Sequence, residues 1–193
     1  MQNTKNRNGV NSERLATTIN AIRREPQLAK FNFRVSNEWI EGAHNRSFIR
    51  EFFRAGQGDA TRRQTFVYDN DQPAILLGKD QSASPLEFLL HALAGCLTTS
   101  LVYHAAARGY EITSAGCELE GDLDVRGFLG IEPFVRSGFK EVRVKFAIDG
   151  NFTEEQKEDL IKLGAAFSPV FDIIKNAVPV KVSLAAGMNV AAA

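Results

Sequence analysis

The chain has little sulfur: two cysteines, Cys96 and Cys117, in 193 residues. Two thiols cannot build a disulfide framework, and no apolar run among the polar residues 1–11 resembles an export signal. Reduced thiols in a cytoplasm are therefore expected. An excess of one charge is missing as well, because 23 Lys and Arg balance 23 Asp and Glu. That balance argues against a nucleic-acid partner, whose footprint needs a basic excess or stripe. There are no internal repeats. With 44% hydrophobic residues, a core can form without covalent staples. Ionic groups are scarcest between residues 85 and 108, where Glu87, His91, His104 and Arg108 are all there is.

That segment reads as one long helix. Ser84 is a good N-cap, Pro85 suits the first helical position, and Glu87 three residues after the cap completes a capping box. The helix is predicted to run from Pro85 to Arg108, with Gly109 taking the left-handed conformation beyond its end. Glu87, the histidines and the capping box argue against a membrane span. So apolar a helix is hard to bury all round in one small domain, so a homodimer with the helix at its centre is expected. Cys96 lies in its middle, where a free thiol is either a small buried hydrophobe or a tuned nucleophile. Leu89, Ala92, Thr99 and Tyr103 share its face at about 100° of rotation per residue.

Elsewhere, residues 1–11 are expected to be disordered and residues 12–30 helical, with Leu15, Ile19, Ile22 and Leu28 apolar. The period then falls to two. Phe31, Phe33, Val35 and Trp39 start a hairpin over 31–54, turning at residues 42–45. Residues 56–59 read as loop and 64–77 as a third strand interrupted near residues 69–71. Over 110–126, Cys117, Leu119, Leu123 and Val125 face a core, while Glu118, Glu120, Asp122 and Asp124 face solvent or a basic partner. Alternating acids on one strand face mark a solvated surface, and no metal is expected. After a loop at 127–138 comes a strand over 142–148. A helix capped by Thr153 and Gln156 runs to Leu163, where Gly164 is predicted to break it. Ser168-Pro169 opens a short helix to Asn176, Val178–Leu184 is predicted to be a last strand, and the alanine-rich end to be loose. Hairpin-linked strands with helices grouped apart predict an α+β fold of antiparallel sheets on the long helix.

The element order, with Ser84-Pro85-Leu86-Glu87-Phe88-Leu89-Leu90 and Ala92-Leu93-Ala94-Gly95-Cys96 on the long helix, resembles the OsmC/Ohr family of osmotically induced and organic hydroperoxide resistance proteins. The likeness covers residues 31–185, leaving 1–30 as a tail and helical extension and 186–193 as a C-terminal tail. It implies an intertwined homodimer with two sites at the subunit interface. It also implies thiol-dependent reduction of organic hydroperoxides, with no cofactor. Cys96 matches the peroxidatic cysteine. The family's resolving cysteine opens a Cys-Pro motif that here reads Ser168-Pro169-Val170, so the resolving thiol is absent. The family glutamate lies ten residues before the cysteine, where this chain has Leu86, with Glu87 one residue later. The family arginine sits in the first hairpin turn, where Arg46 is the nearest match and Arg62 or Arg63 a fallback.

The expected catalytic set is therefore Cys96, Arg46 and Glu87. The expected partners are a second copy of the chain, an organic hydroperoxide or other small apolar molecule, and an external thiol as reductant. Cys117 is expected on the sheet's apolar face, away from the long helix. The alternative is a dimer that holds a small apolar ligand in the same interface pocket without turnover. A third role, as a scaffold, would use the N-terminal helix.

Overall fold

The computed structural model describes residues 6–58 and 61–184. In chain order the elements begin with β1 (Asn6–Arg7), β2 (Val10–Asn11) and helix α1 (Ser12–Arg24). Strands β3 (Phe31–Phe33), β4 (Ser36–Glu41), β5 (His44–Ile49), β6 (Phe52–Arg54), β7 (Gln57–Gly58) and β8 (Phe66–Asn70) follow. The long helix α2 (Pro85–Arg108) leads to β9 (Ile112–Asp122), the one-turn helix α3 (Val125–Phe128) and β10 (Glu141–Gly150). Helices α4 (Glu154–Ala166) and α5 (Pro169–Lys175) close the list. Every strand pair is antiparallel, which makes the fold α+β as predicted. Two compact units are present. One joins the start of the chain, through Ser12, to Leu89–Val178; the other is Glu13–Phe88 with the chain from Pro179 onward.

In the second unit the predicted hairpin over 31–54 forms, but it is split. Residues 34–35 and 50–51 leave the ladder, so β5 pairs β4 and β8 in one sheet while β6 pairs β3 and β7 in another. Residues 56–59, expected as loop, contribute β7 through a tight turn at Ala55-Gly56, both with positive φ. The third strand is shorter than predicted and ends at Asn70. Beyond it Asp71, 1% exposed, accepts backbone N–H bonds from Gln72, Lys79 and Gln81 at 2.8, 3.1 and 3.2 Å. Those bonds pin the segment 72–81 that leads to α2, and they hold the Asp71 carboxyl below its ordinary range against the opposing effect of burial.

The first unit is built on α2, which has the predicted bounds. Ser84 and Glu87 form the capping box, with Ser84 N–H donating to Glu87 Oε2 at 2.7 Å and Glu87 N–H to Ser84 Oγ at 3.3 Å. At the other end Gly109 has φ +86°, and Tyr110 N–H reaches back to Ala105 O at 2.9 Å, a Schellman cap. Leu93, Leu97, Ser100, Leu101 and Ala105 form a buried stripe at helical spacing. Leu101 and Ala105 join Ile148 of β10 and Leu160 of α4 in the core. By length and composition α2 is apolar enough to cross a membrane; one side of it carries the packed stripe. Gly164 does not break α4, which runs on to Ala166. The glycine is buried, and a Cβ there would lie 3.1 Å from Leu101 Cβ, so its role is close helix–helix approach.

Two other expectations fail. Residues 6–11 are an ordered hairpin, not a disordered tail; residues 1–5 lie outside the described ones. Asn8 and Gly9, with φ of +52° and +75°, make the turn that an Asn-Gly pair favours between two strands. The Asn8 side chain then bridges to the strand beyond α2, donating to Tyr110 O at 3.0 Å and accepting from Ile112 N–H at 2.9 Å. Val178–Leu184 forms no strand, and Val180, Val182 and Leu184 are 80, 93 and 98% exposed. Their alternation has no partner edge among the described residues, and Pro179 withholds an N–H from any ladder. The alanine-rich end, from residue 185, lies outside the described residues.

The acids of β9 face outward as expected. Arg143 on β10 bonds Glu120 at 2.8 Å, Asp122 at 2.6 Å and Glu141 at 2.7 Å. Asp124, which caps α3, is held by Arg126 and Lys140 at 2.6 and 3.1 Å.

Candidate functional site

Cys96 is half-buried at the edge of the packed stripe of α2. Its own face, with Leu89, Thr99 and Tyr103, is the less covered one: Leu89 and Tyr103 are 38 and 51% exposed. The thiol is thus reachable along an apolar and hydroxyl-bearing surface. A mid-helix position gives it no help from a helix terminus, so a cation must come from elsewhere to favour a thiolate.

Cys117 lies on the inner face of β9 as expected, but not away from the long helix. Its half-buried side chain faces α2, and its Sγ lies 3.8 Å from Thr98 Oγ1. The apolar face of β9 packs on the helix, which brings Cys117 along with it. Thr98 follows Cys96 by two residues, about 200° of rotation, so the two thiols lie on different sides of α2.

Arg46 sits on β5 directly across from Asp69 on β8. Its Nε and Nη2 donate to the two carboxylate oxygens at 2.7 and 3.1 Å, a bidentate pair. The pairing pushes the Asp69 carboxyl below its ordinary range and the guanidinium above its own. His44 Nε2 lies 3.4 Å from the same carboxylate. Nothing in the sequence pattern announced Asp69; the signal was the two-residue period of β8, which puts it opposite Arg46 once the hairpin register is set.

Glu87 serves the cap. Its carboxylate is lowered first by the Ser84 N–H and then by the Ser84 hydroxyl. The orienting carboxylate for Arg46 is thus Asp69. Of the fallback cations, Arg62 lies over the rings of Phe52 and Phe66, at 5.1 and 5.4 Å from their centroids. Arg63 is exposed. Ser168, where the family resemblance put a resolving thiol, is 1% exposed and caps α5, accepting from Phe171 N–H at 3.2 Å. Cys96 belongs to one unit, Arg46 and Glu87 to the other, and each is fixed by its own local frame.

A groove of about 640 Å³ runs beside α2, between the helix and the Asn8-Gly9 turn. Sequence reasoning missed it by missing the hairpin, although the Asn-Gly pair was a legible turn signal.

A family model described as OsmC-like protein matches residues 78–183, more than half of the chain. The chain belongs to the OsmC-like protein family. Solved OsmC-like structures share the fold. An OsmC like protein from Mycoplasma pneumoniae is 16% identical with a TM-score of 0.58, over 76% of this chain and 89% of its own. An organic hydroperoxide resistance protein OsmC from Legionella pneumophila is 14% identical with a TM-score of 0.52, over 75% and 90%. An organic hydroperoxide resistance protein from Elizabethkingia anophelis is 14% identical with a TM-score of 0.51, over 76% and 91%. No curated protein matches the chain. In this OsmC-like chain Cys96 is half-buried on the long helix, Arg46 is paired with Asp69, and Ser168 caps α5.

Proposed function

We propose that this OsmC-like protein is a cytoplasmic homodimer that protects against oxidative stress by reducing organic hydroperoxides through Cys96. The observation that carries the reading is the half-buried Cys96 thiol on the uncovered face of α2, in a chain of this family. Two structurally similar proteins bear the name of organic hydroperoxide resistance, which supports the choice of substrate. Exposed Leu89 and Tyr103 on the Cys96 face support the dimer, since a second copy would cover them.

The Cys96 thiolate attacks the distal peroxide oxygen. An S–O bond forms, the O–O bond breaks, and the alkoxide leaves with a proton as an alcohol. The product is a sulfenic acid. Arg46, pre-aimed by Asp69, is the proposed cation for the thiolate, offered within the chain or by the partner copy. Glu87 contributes by fixing the start of α2. With serine at position 168, an external low-molecular-weight thiol condenses with the sulfenic acid and releases water. A second equivalent of that thiol then frees Cys96 as a symmetric disulfide leaves.

Mass spectrometry after a hydroperoxide pulse tests this. Sulfenic acid on Cys96, trapped by a sulfenic-acid reagent and reversed by added thiol, is expected. An unmodified Cys96 overturns the reading and leaves a ligand-binding dimer without turnover.

A further inference from the structure

Among the described residues a single buried hydroxyl has no hydrogen-bond partner, that of Ser100. Ser100 is 9% exposed and sits in the packed stripe of α2, with Leu93 and Leu97 each 2% exposed and Leu101 fully covered. A helical serine can bond the carbonyl four residues back, here that of Cys96, and Ser100 does not. A polar group kept dry and unpaired costs stability, so structure alone does not account for it. Its neighbour is the Cys96 thiol. Four residues apart on a helix, the two Cβ atoms are about 5–6 Å from one another. Around the axis they differ by about 40°. Helical side chains lean toward the N-terminus, so Ser100 lies over the turn that carries Cys96. Cys96 is half-buried at the edge of the stripe, and Ser100 closes its buried flank. Elsewhere on α2 a hydroxyl already meets a sulfur, with Thr98 Oγ1 3.8 Å from Cys117 Sγ.

We infer that Ser100 is a further catalytic residue of the Cys96 site, its hydroxyl turning to donate to Cys96 Sγ when the thiol ionises. This rests on the Cys96 reading and adds to it a donor from the thiol's own helix. The thiol proton passes to solvent, the negative charge stays on Sγ, and the Ser100 O–H swings onto it by rotation about χ1. Nothing is oxidised in this step, which precedes attack on the peroxide. Neutral sulfur is a weak acceptor, so the hydroxyl stays idle in the resting state. An ionised acceptor makes a hydrogen bond roughly twice as strong, and the dry flank strengthens it further.

Ser100→Ala tests this in the full-length protein, with iodoacetamide as the probe and the tryptic peptide of Cys96 read by mass spectrometry. Alkylation needs the thiolate but no peroxide. Without the donor, the thiolate fraction at pH 7 is expected to fall by about tenfold. A less acidic thiol is the better nucleophile once ionised, which leaves alkylation about threefold slower. At pH 10, well above the ordinary thiol range, the variant is expected to react as fast as the parent or faster. The variant is nearly isosteric and removes the unpaired group, so its urea unfolding midpoint is expected at or above the parent's. An unchanged or faster rate at pH 7 overturns the inference. So does an equal slowing at both pH values, which marks altered access, or a lower midpoint, which marks a structural bond. A Cys96 that iodoacetamide leaves unmodified at both pH values overturns it too. Because iodoacetamide has no O–O bond, a protein without peroxidase activity leaves this result standing. A Ser100→Ala rate equal to the parent's likewise leaves the sulfenic-acid assay untouched.

Discussion

At the scale of single residues, the Thr98–Cys117 contact decides the fate of oxidised Cys96. Cys117 touches α2, but at a position about 160° around the helix from Cys96. Peroxide-treated protein is therefore expected to yield no Cys96–Cys117 disulfide in tryptic peptides, and to drift to sulfinic acid unless thiol is supplied. A Cys96–Cys117 peptide would make Cys117 the resolving thiol. Cys96→Ser is expected to abolish hydroperoxide turnover. Arg46→Gln is expected to lower kcat/KM by about a hundredfold, as removal of one preorganised charge does. Asp69→Asn removes only the residue that aims Arg46, so a smaller loss is expected from it, and the double variant is expected to lose no more than Arg46→Gln alone. Additive losses would separate the two side chains. Cys96 stands out in the sequence through its helix and motif. Asp69 does not, because its meaning comes from strand register, a non-local property that a one-residue slip would erase.

At the scale of elements, α4 and the β9–β10 ribbon carry the predictions. Gly164 reads as a helix breaker by propensity, yet the packing of α4 on α2 overrides it, because only a glycine lets the backbone approach Leu101 so closely. Gly164→Val is expected to destabilise by about 1–3 kcal/mol through overpacking, measured by urea unfolding. If stability is unchanged, the close approach is not needed. On the ribbon, Arg143 holds Asp122 and Glu120 below their ordinary carboxylate range, chiefly through hydrogen bonds. Folded values below unfolded ones contribute stability that is present above the unfolded pKa, about 4, and lost as pH falls through the folded values. The melting temperature should thus hold steady down to about pH 5 and drop below about pH 4. Arg143→Gln should flatten that acid limb, and high salt should do the same because the groups are exposed. The caps at Ser84, Thr153 and Ser168 were all readable, since capping chemistry is local. The strand expected at Val178–Leu184 was not found because a strand needs an edge to pair with, and alternation alone does not supply one.

For the whole molecule, the proposed second copy would cover exposed apolar surface: the open face of α2 and the aromatics Phe33 and Trp39, each 72% exposed. Sedimentation at low micromolar concentration is expected to show a dimer, and a stable folded monomer would contradict it. The antiparallel α+β class was legible because periodicity and element order determine it. The division into two units was not, because it depends on a contact between the chain's first residues and a strand a hundred positions on. That contact also sets a timetable for the chain as it is made. Asn8 emerges from the ribosome early, but its partners Tyr110 and Ile112 lie 102 and 104 residues behind it. At about 5–20 residues per second, the turn waits roughly 5–20 seconds for its anchor. Meanwhile residues 13–88 are complete and free to pair their own strands. The Asn8 turn, though translated well before its anchor, is thus among the last parts of its unit to dock, and the wall of the groove closes only when the rest of that unit is in place.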